Sequence, residues 1–242
     1  MQTRPEMEKI VMEKILCCIL NHNENAKAIR WWEGLSPHFD TVILDSGSTP
    51  PCTHEGALVL DNIYYSGLMN QAYELLKQRG YRWLMIVTSD IEIDDRNLSR
   101  LVERMQQVTG TENVGLYQPS CALSRRGRAL YQSLCHYTGR LRRVNFQEGW
   151  FHLVCRELLD EVLPVDLTLN RLGWGIDLAL CHFARLHRML VLVDDRVRVI
   201  HPKGRGYSKS EAREQMLRWH ASIPGYESPR HFRPLRDEIR YR

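Results

Sequence analysis

The stretch "RWLMIVTSDIEIDD", residues 82–95, begins as a run of apolar and β-branched residues and ends in Asp90, Glu92, Asp94 and Asp95. Its first half reads as a fully buried strand. Its second half gathers like charges where they repel one another, so something must compensate for them. One acid, Asp94 or Asp95, precedes a helical pattern ("RNLSRLVERMQQV") and suits an N-cap. For Asp90 and Glu92 two readings stand. They are a solvated strand end, or they converge on one object, since residues two apart on an extended backbone share a face. Two hard oxygen donors so placed suit Mg²⁺ or Mn²⁺, with phosphate oxygens and water completing the shell.

Outward from this strand the apolar runs alternate with helical patterns. "KILCCIL" (14–20), "TVILDSGS" (41–48) and "GALVL" (56–60) read as strands, and "NHNEN" as a turn into a helix through Trp31 and Trp32. "SGLMNQAYELLKQRG" (66–80) reads as a helix with Ser66 as N-cap and Gly80 at its exit. Farther on, "NVGLYQP" and "VNFQEGWFHLVC" read as strands, and "RELLDEVLP" as a short helix. "GWGIDLALCHFARL" starts a helix after two glycines. "MLVLVDDRVRVIHPKGRGYS" reads as two strands around Asp194-Asp195 and a Gly-rich basic loop, while the segment 121–143 resists assignment. Apolar strands alternating with helices predict an α/β fold with a mostly parallel, Rossmann-like sheet covered by helices on both faces. In such sheets ligands bind beyond the carboxyl ends of the strands. Both "LDSGS" and "VTSDIEI" put their acids there.

The whole chain bounds this reading. Its 242 residues suffice for one sizeable core, here residues 1–208, followed by a C-terminal helix and Arg-rich tail, 209–242. A formal charge of +4 without a long basic run falls short of a nucleic-acid-binding signature. No apolar stretch approaches the about 18 residues of a membrane span. The amino terminus carries acids and no small-residue cleavage site, which argues against a secretory signal. Seven scattered cysteines (17, 18, 52, 121, 135, 155 and 181), without a C-x-x-C pair, read as reduced thiols in a cytoplasmic protein. The Arg-rich tail permits contact with a membrane surface.

Taken in order, these segments resemble a nucleotide-sugar-dependent glycosyltransferase of the GT-A fold, close to the large inverting family 2. The likeness covers roughly residues 14 to 208. It implies a nucleotide-binding half, about 14–95, and an acceptor half, about 114–208. "LCCILNHNEN" is similar to the opening strand and turn, which implies that Asn23 and Glu24 lie beside the donor nucleotide. "ILDSGSTP" resembles the segment whose Asp, here Asp45 with Ser46 beside it, contacts base or ribose. "GLMNQAYELLKQRGYRWLMIVTSD" looks like the helix carrying Asn70 and the metal-bearing strand. The usual D-x-D motif is altered: Asp90 stands for its second Asp and Thr88 for its first, or Asp90-Ile91-Glu92 is the motif, shifted. "VNFQEGWFHLVC" is similar to the block bordering the acceptor, with Glu148 and Trp150 as acceptor candidates. "GWGIDLAL" resembles a Gly-Trp-Gly-acid helix start, implying Asp177 as general base and Trp174 as a sugar-packing face. Many members carry Glu-Asp there; here Ile176 precedes a lone Asp177. "VRVIHPKGRGYS" looks like a closing strand with a metal-binding His, here His201, and a loop whose Lys203 and Arg205 would close on the diphosphate.

Each role has a plainer counterpart. Asp177 is also an acid favoured by the helix dipole, His201 an exposed strand end, and Lys203 and Arg205 a solvated basic turn. Trp150 and Trp174 are also ordinary core aromatics. The expected activity is transfer of a sugar from a nucleoside diphosphate sugar, UDP by the family's habit, to a glycan, lipid-linked or small acceptor. A non-catalytic binder of sugar nucleotides or glycans on the same scaffold is the alternative. A nucleotidyltransferase is disfavoured, because "ILNHNENAKAIR" lacks a Gly-rich phosphate loop.

Overall fold

The computed structural model describes residues 14–122, 139–202 and 208–226. β1 (Ile15–Asn21) and β4 (Trp83–Thr88) lie side by side in the interior of the sheet. Every β1 residue is buried, as a central parallel strand covered on both faces requires. β2 (Asp40–Ser46) pairs parallel with β1, β3 (Ala57–Leu60) parallel with β2, and β4 parallel with the other side of β1. Next to β4 lies β7 (Phe151–Cys155), antiparallel, followed by β5 (Val114–Ala122), β8 (Leu190–Ile200) and β6 (Leu141–Arg143). β5 and β8 run parallel to each other, while β7 and β6 run against their neighbours. The result is a mostly parallel eight-stranded sheet with helices packed on it.

The reversal of β7 matters for the site. Because β7 runs opposite to β4, its amino end lies at the carboxyl end of β4. The "EGW" segment before β7 therefore reaches the same edge as the acids after β4.

α1 (Asn25–Leu35) packs on β1 and β2, and α2 (Tyr64–Arg79) on β1, β2 and β4. α3 (Asp95–Thr109) and α5 (Ile176–Leu186) pack on β5 and β8, and α4 (Arg156–Val162) on β7 and α5. Gly80 closes α2 with φ 67°, its amide reaching the carbonyls of Leu76 and Lys77. Asp94 caps α3 by accepting from Asn97 N at 2.7 Å.

Some local expectations fail. Ser66 is not the N-cap of α2, which begins at Tyr64 without a side-chain cap; the Ser66 amide bonds the Arg171 carbonyl instead. Strand structure in "VNFQEGWFHLVC" begins only at Phe151. The two strands expected around Asp194-Asp195 are one strand, β8. Its register with β5 jumps from Asp194 opposite Pro119 to Arg198 opposite Ser120. Both acids are buried there because guanidinium groups neutralise them: Arg104 and Arg196 on Asp194 (2.7 and 2.8 Å), and Arg142 on Asp195 (3.0 Å).

α6 (Lys209–Ser222) packs into the same core through Trp219 and is not a loose appendage. Cys17, Cys18, Cys52, Cys121, Cys155 and Cys181 are buried free thiols, and Cys135 lies outside the described residues. No helix among the described residues is long and apolar enough to cross a membrane.

Candidate active site

The ends of β1, β2, β4 and β8 and the entry of β7 lie along one edge of the sheet, and the start of α5 reaches Gly149 there. The β1–β2 side is held by hydrogen bonds. Asp45 is fully buried; its Oδ1 accepts from Asn21 Nδ2 (2.8 Å) and the Ser48 hydroxyl, and its Oδ2 from Cys52 N (2.8 Å). The carboxylate thus orders the 47–52 loop from beneath. Ser46 is buried too, its Oγ accepting from Ile63 N at 3.0 Å. Asn23, exposed and at φ 62°, takes a left-handed conformation that Asn tolerates. It joins the two loops, its amide donating to Ser48 Oγ (2.7 Å) and its Oδ1 accepting from Thr49 N (2.8 Å). Glu24 is half-buried and pairs with Lys27 at 3.3 Å.

Asn70 faces another partner. Its Nδ2 donates to Val165 O (2.9 Å) and its Oδ1 accepts from Val165 N (2.8 Å). Both ends of the amide bond that backbone, so Asn70 tethers α2 to Val165.

Beyond β4 the chain turns: Ile91 N bonds Thr88 O at 3.2 Å, so Asp90 and Glu92 do not lie on one extended strand. Glu92 is exposed and pairs by its backbone with Ile200, donating at 2.9 Å and accepting at 2.8 Å. That bridge draws the end of β8 against the turn. As a result His201 Nε2 comes to 3.5 Å from Asp90 Oδ2. Burial pushes the Asp90 carboxyl up, but hydrogen bonds from His201 and Thr88 and the neighbouring imidazole outweigh it and hold Asp90 below the usual carboxylate range. The Thr88 hydroxyl also lies 3.2 Å from Trp150 O, so its one proton is shared between that carbonyl and Asp90. Among the described residues no group of three or more His, Cys, Asp or Glu side chains gathers as a metal cage. The convergence of Asp90 with Glu92 is thereby replaced by a pair, Asp90 and His201. One carboxylate oxygen and one imidazole nitrogen at this spacing fit a hard-to-borderline divalent ion that takes its other ligands from phosphate and water.

The segment entering β7 is rigid. Its carbonyls are engaged in succession: Glu148 O by Gln118 (2.7 Å), Gly149 O by the Tyr65 hydroxyl (2.5 Å), Trp150 O by Thr88 N (3.0 Å), and Phe151 O by Gln118 (2.8 Å). Trp150 is buried with its ring 5.7 Å from that of His201. It supports the imidazole and offers no open face to a sugar. Trp174 keeps partial exposure, and its carbonyl accepts from Asn170 Nδ2 at 2.9 Å.

Asp177 sits on the first turn of α5, its Oδ2 3.7 Å from where a Cβ on Gly149 would lie. Gly173 and Gly175 stand at φ 80° and 85°. A Cβ on Gly173 would lie 2.4 Å from the Tyr65 ring, and one on Gly175 2.4 Å from His220. Close packing as well as backbone conformation therefore requires glycine at both. Asp177 Oδ1 accepts from Leu178 N at 2.8 Å. Burial raises its pKa to about 7; amide bonds from Leu178 and Gly149 lower it, and the charge of Glu148 raises it. Glu148 therefore acts on the carboxyl of Asp177. Lys203 and Arg205 lie outside the described residues.

Several groups here were not singled out from sequence. Asn21 and Ser48 anchor Asp45, Tyr65 and Gln118 hold the β7 entry, and His220 bonds Gly175 O at 3.0 Å. A polar residue ending an apolar strand was the available signal for Asn21; Tyr65 and Gln118 carry none.

No family model matches the chain, and no curated protein matches its sequence. Solved structures do match. A197 from STIV aligns over 81% of this chain and 97% of its own at 14% identity, with a TM-score of 0.43, too low to carry an argument. The crystal structure of GalNAc-T7 with UDP, GalNAc and Mn²⁺ aligns over 86% of this chain and 48% of that one at 12% identity, with a TM-score of 0.60. At that identity the likeness speaks for the fold alone: this chain has an α/β fold similar to that of a GT-A glycosyltransferase.

Proposed function

We propose that the protein transfers a sugar from a nucleoside diphosphate sugar, UDP-linked, to an acceptor hydroxyl, inverting the anomeric carbon. The observation that carries this is that one backbone segment touches both groups: the Trp150 ring lies 5.7 Å from that of His201, and the Cβ position of Gly149 lies 3.7 Å from Asp177 Oδ2. On one side stand Asp90 and His201, 3.5 Å apart; on the other stands a carboxyl with its pKa raised to about 7. A base poised near neutral pH takes a proton from an attacking hydroxyl efficiently, typically for roughly 100- to 10,000-fold in rate. Asp177 takes that proton, and its helix start, wedged between Tyr65 and His220, fixes where it points. Asp90 and His201 would hold Mn²⁺ or Mg²⁺, which supplies positive charge to the departing diphosphate. Asn23 and Glu24, on the rim of the β1–β2 loops, and possession of an ordered 47–52 loop by way of Asp45 suit a nucleotide seat. In this reading residues 14–95 form the donor half and 114–208 the acceptor half, with Trp174 at its exposed border.

One observation favours the alternative, a non-catalytic binder of sugar nucleotides. Thr88 stands where a second acid is usual, and its hydroxyl is engaged by Trp150 O. The two readings separate in one experiment. Purified protein with Mn²⁺ is offered UDP-glucose, UDP-galactose and their N-acetylhexosamine counterparts, and UDP release is followed. Slow release that depends on Asp177 supports transfer. UDP binding in calorimetry without release from any donor supports the binder, and no UDP binding with or without Mn²⁺ refutes both.

A further inference from the structure

Tyr64 takes φ 56°, a left-handed conformation that strains a bulky residue and that glycine adopts freely. Its ring is not buried in exchange, since the residue is 38% exposed. Against the ring lies Arg171, its guanidinium 4.9 Å from the ring centroid and 3.1 Å from Glu211. Arg171 and Glu211 are themselves about half exposed, and a cation–π contact in so open a place returns little. The fold thus leaves the strain at this tyrosine largely without compensation, which is the pattern of a residue kept for a ligand.

The neighbours of Tyr64 in the chain indicate which ligand. Ile63 N, just before it, bonds Ser46 Oγ at 3.0 Å, beside Asp45 and the loop that Asp45 orders. Tyr65, just after it, bonds Gly149 O, and Ser66 N bonds Arg171 O at 3.3 Å. Arg171 opens the loop that runs through Gly173 and Gly175 to Asp177. Tyr64 is thereby anchored on one side to the strand end given to the nucleotide and on the other to the loop that leads to the base. We propose that Tyr64 is a saccharide platform: the open part of its ring stacks on the apolar C–H face of a pyranose, while Arg171 steadies the ring. The negative face of an aromatic ring attracts such C–H groups, and the contact buries apolar area on both partners. The pyranose is the sugar of the donor or a unit of the acceptor; the chemistry is shared, and binding tells the two apart. The proposal rests on the transfer reading above and adds a sugar-recognising residue to it.

Calorimetry on the full chain with Mn²⁺ tests this through Tyr64→Phe, Tyr64→Ala and Tyr64→Gly. The ligands are UDP, the UDP-sugars named above, and the methyl glycosides of the same sugars added to UDP-loaded protein. Loss of the ring should weaken the preferred UDP-sugar, where the donor sugar sits on it, or the preferred glycoside, where the acceptor does, by roughly 5- to 10-fold. UDP alone should bind every variant within about twofold of the parent, and Tyr64→Phe, which keeps the ring, should bind all ligands as the parent does. Parent-like affinity of Tyr64→Ala and Tyr64→Gly for every UDP-sugar and glycoside overturns the platform. So does an equal loss for UDP alone, which would give the ring to the nucleotide. Melting supplies a second check. Both small variants lack the ring and only glycine relieves the backbone, so Tyr64→Gly should melt above Tyr64→Ala; the reverse order overturns the strain from which the proposal starts. If the parent binds UDP-sugars without releasing UDP, transfer fails while the contribution of Tyr64 is still read from the same titrations. A parent that binds no UDP-sugar and no glycoside defeats both.

Discussion

Asp45 and Asp177 are both carboxylates at the same edge of the sheet, one ending β2 and the other beginning α5. Asp45 is sealed, with Asn21, Ser48 and the Cys52 amide filling its oxygens. Asp177 has the Leu178 amide on Oδ1 and is half-buried, with the negative Glu148 nearby. The first carboxylate is spent on shape, and a loop is ordered around it. The second is buried without a neutralising cation among the described residues, and burial, helped by the charge of Glu148, outweighs the amides of Leu178 and Gly149, so its proton affinity rises to about 7. The partners that burial leaves to each carboxylate thus separate the two acids where residue type and position cannot.

The widest expected separation lies in activity. Asp177→Asn should retain UDP binding in calorimetry while UDP release falls by roughly 100- to 10,000-fold. In the parent protein kcat/KM should rise with pH through about 7, as Asp177 loses its proton. Stability moves the other way. A carboxyl whose folded pKa lies above its unfolded value binds more protons folded than unfolded between the two, so its contribution falls as pH rises from about 4 to about 7. Asp177→Asn should therefore melt higher than the parent above pH 7, with the gain vanishing toward pH 4. A pH-independent difference would break the contrast with Asp45.

Asp45→Ala should do the reverse: urea unfolding should show a loss of roughly 2–4 kcal/mol, because several buried donors lose their acceptor at once. Next in size, His201→Ala should weaken UDP binding about 10-fold in the presence of Mn²⁺ and leave it unchanged with EDTA, whereas Glu92→Gln should leave both affinities within about twofold. Equal losses in the two variants would return Glu92 to the metal. The smallest effect is that of Asn70→Ala, which should cost roughly 1–2 kcal/mol of stability through the Val165 tether with UDP affinity unchanged.

The strands and most helices were legible because apolar runs bounded by turn residues admit few alternatives, and β1 and β4 lie where their composition puts them. What failed depends on partners distant in the chain. The Ser66 amide is met by Arg171 O rather than beginning a capped helix. Asp194-Asp195 looked like a turn because two adjacent acids belong in water; they are buried because Arg104 on α3, Arg142 on β6 and Arg196 on β8 converge there. Asp90 with Glu92 assumed an extended backbone, and one hydrogen bond, Ile91 to Thr88, bends it.

α6 bears on how the protein can be handled. Gln215 accepts from the Arg171 and Leu172 amides, both at 3.1 Å, and His220 bonds the carbonyl of Gly175, two residues before Asp177. A shortened version ending at residue 208, cut where the sequence reading placed the end of the main domain, would remove the His220 bond to Gly175 O beside Asp177. Any loss of UDP binding or release in material trimmed that way would report on the missing helix and not on Asp177 itself.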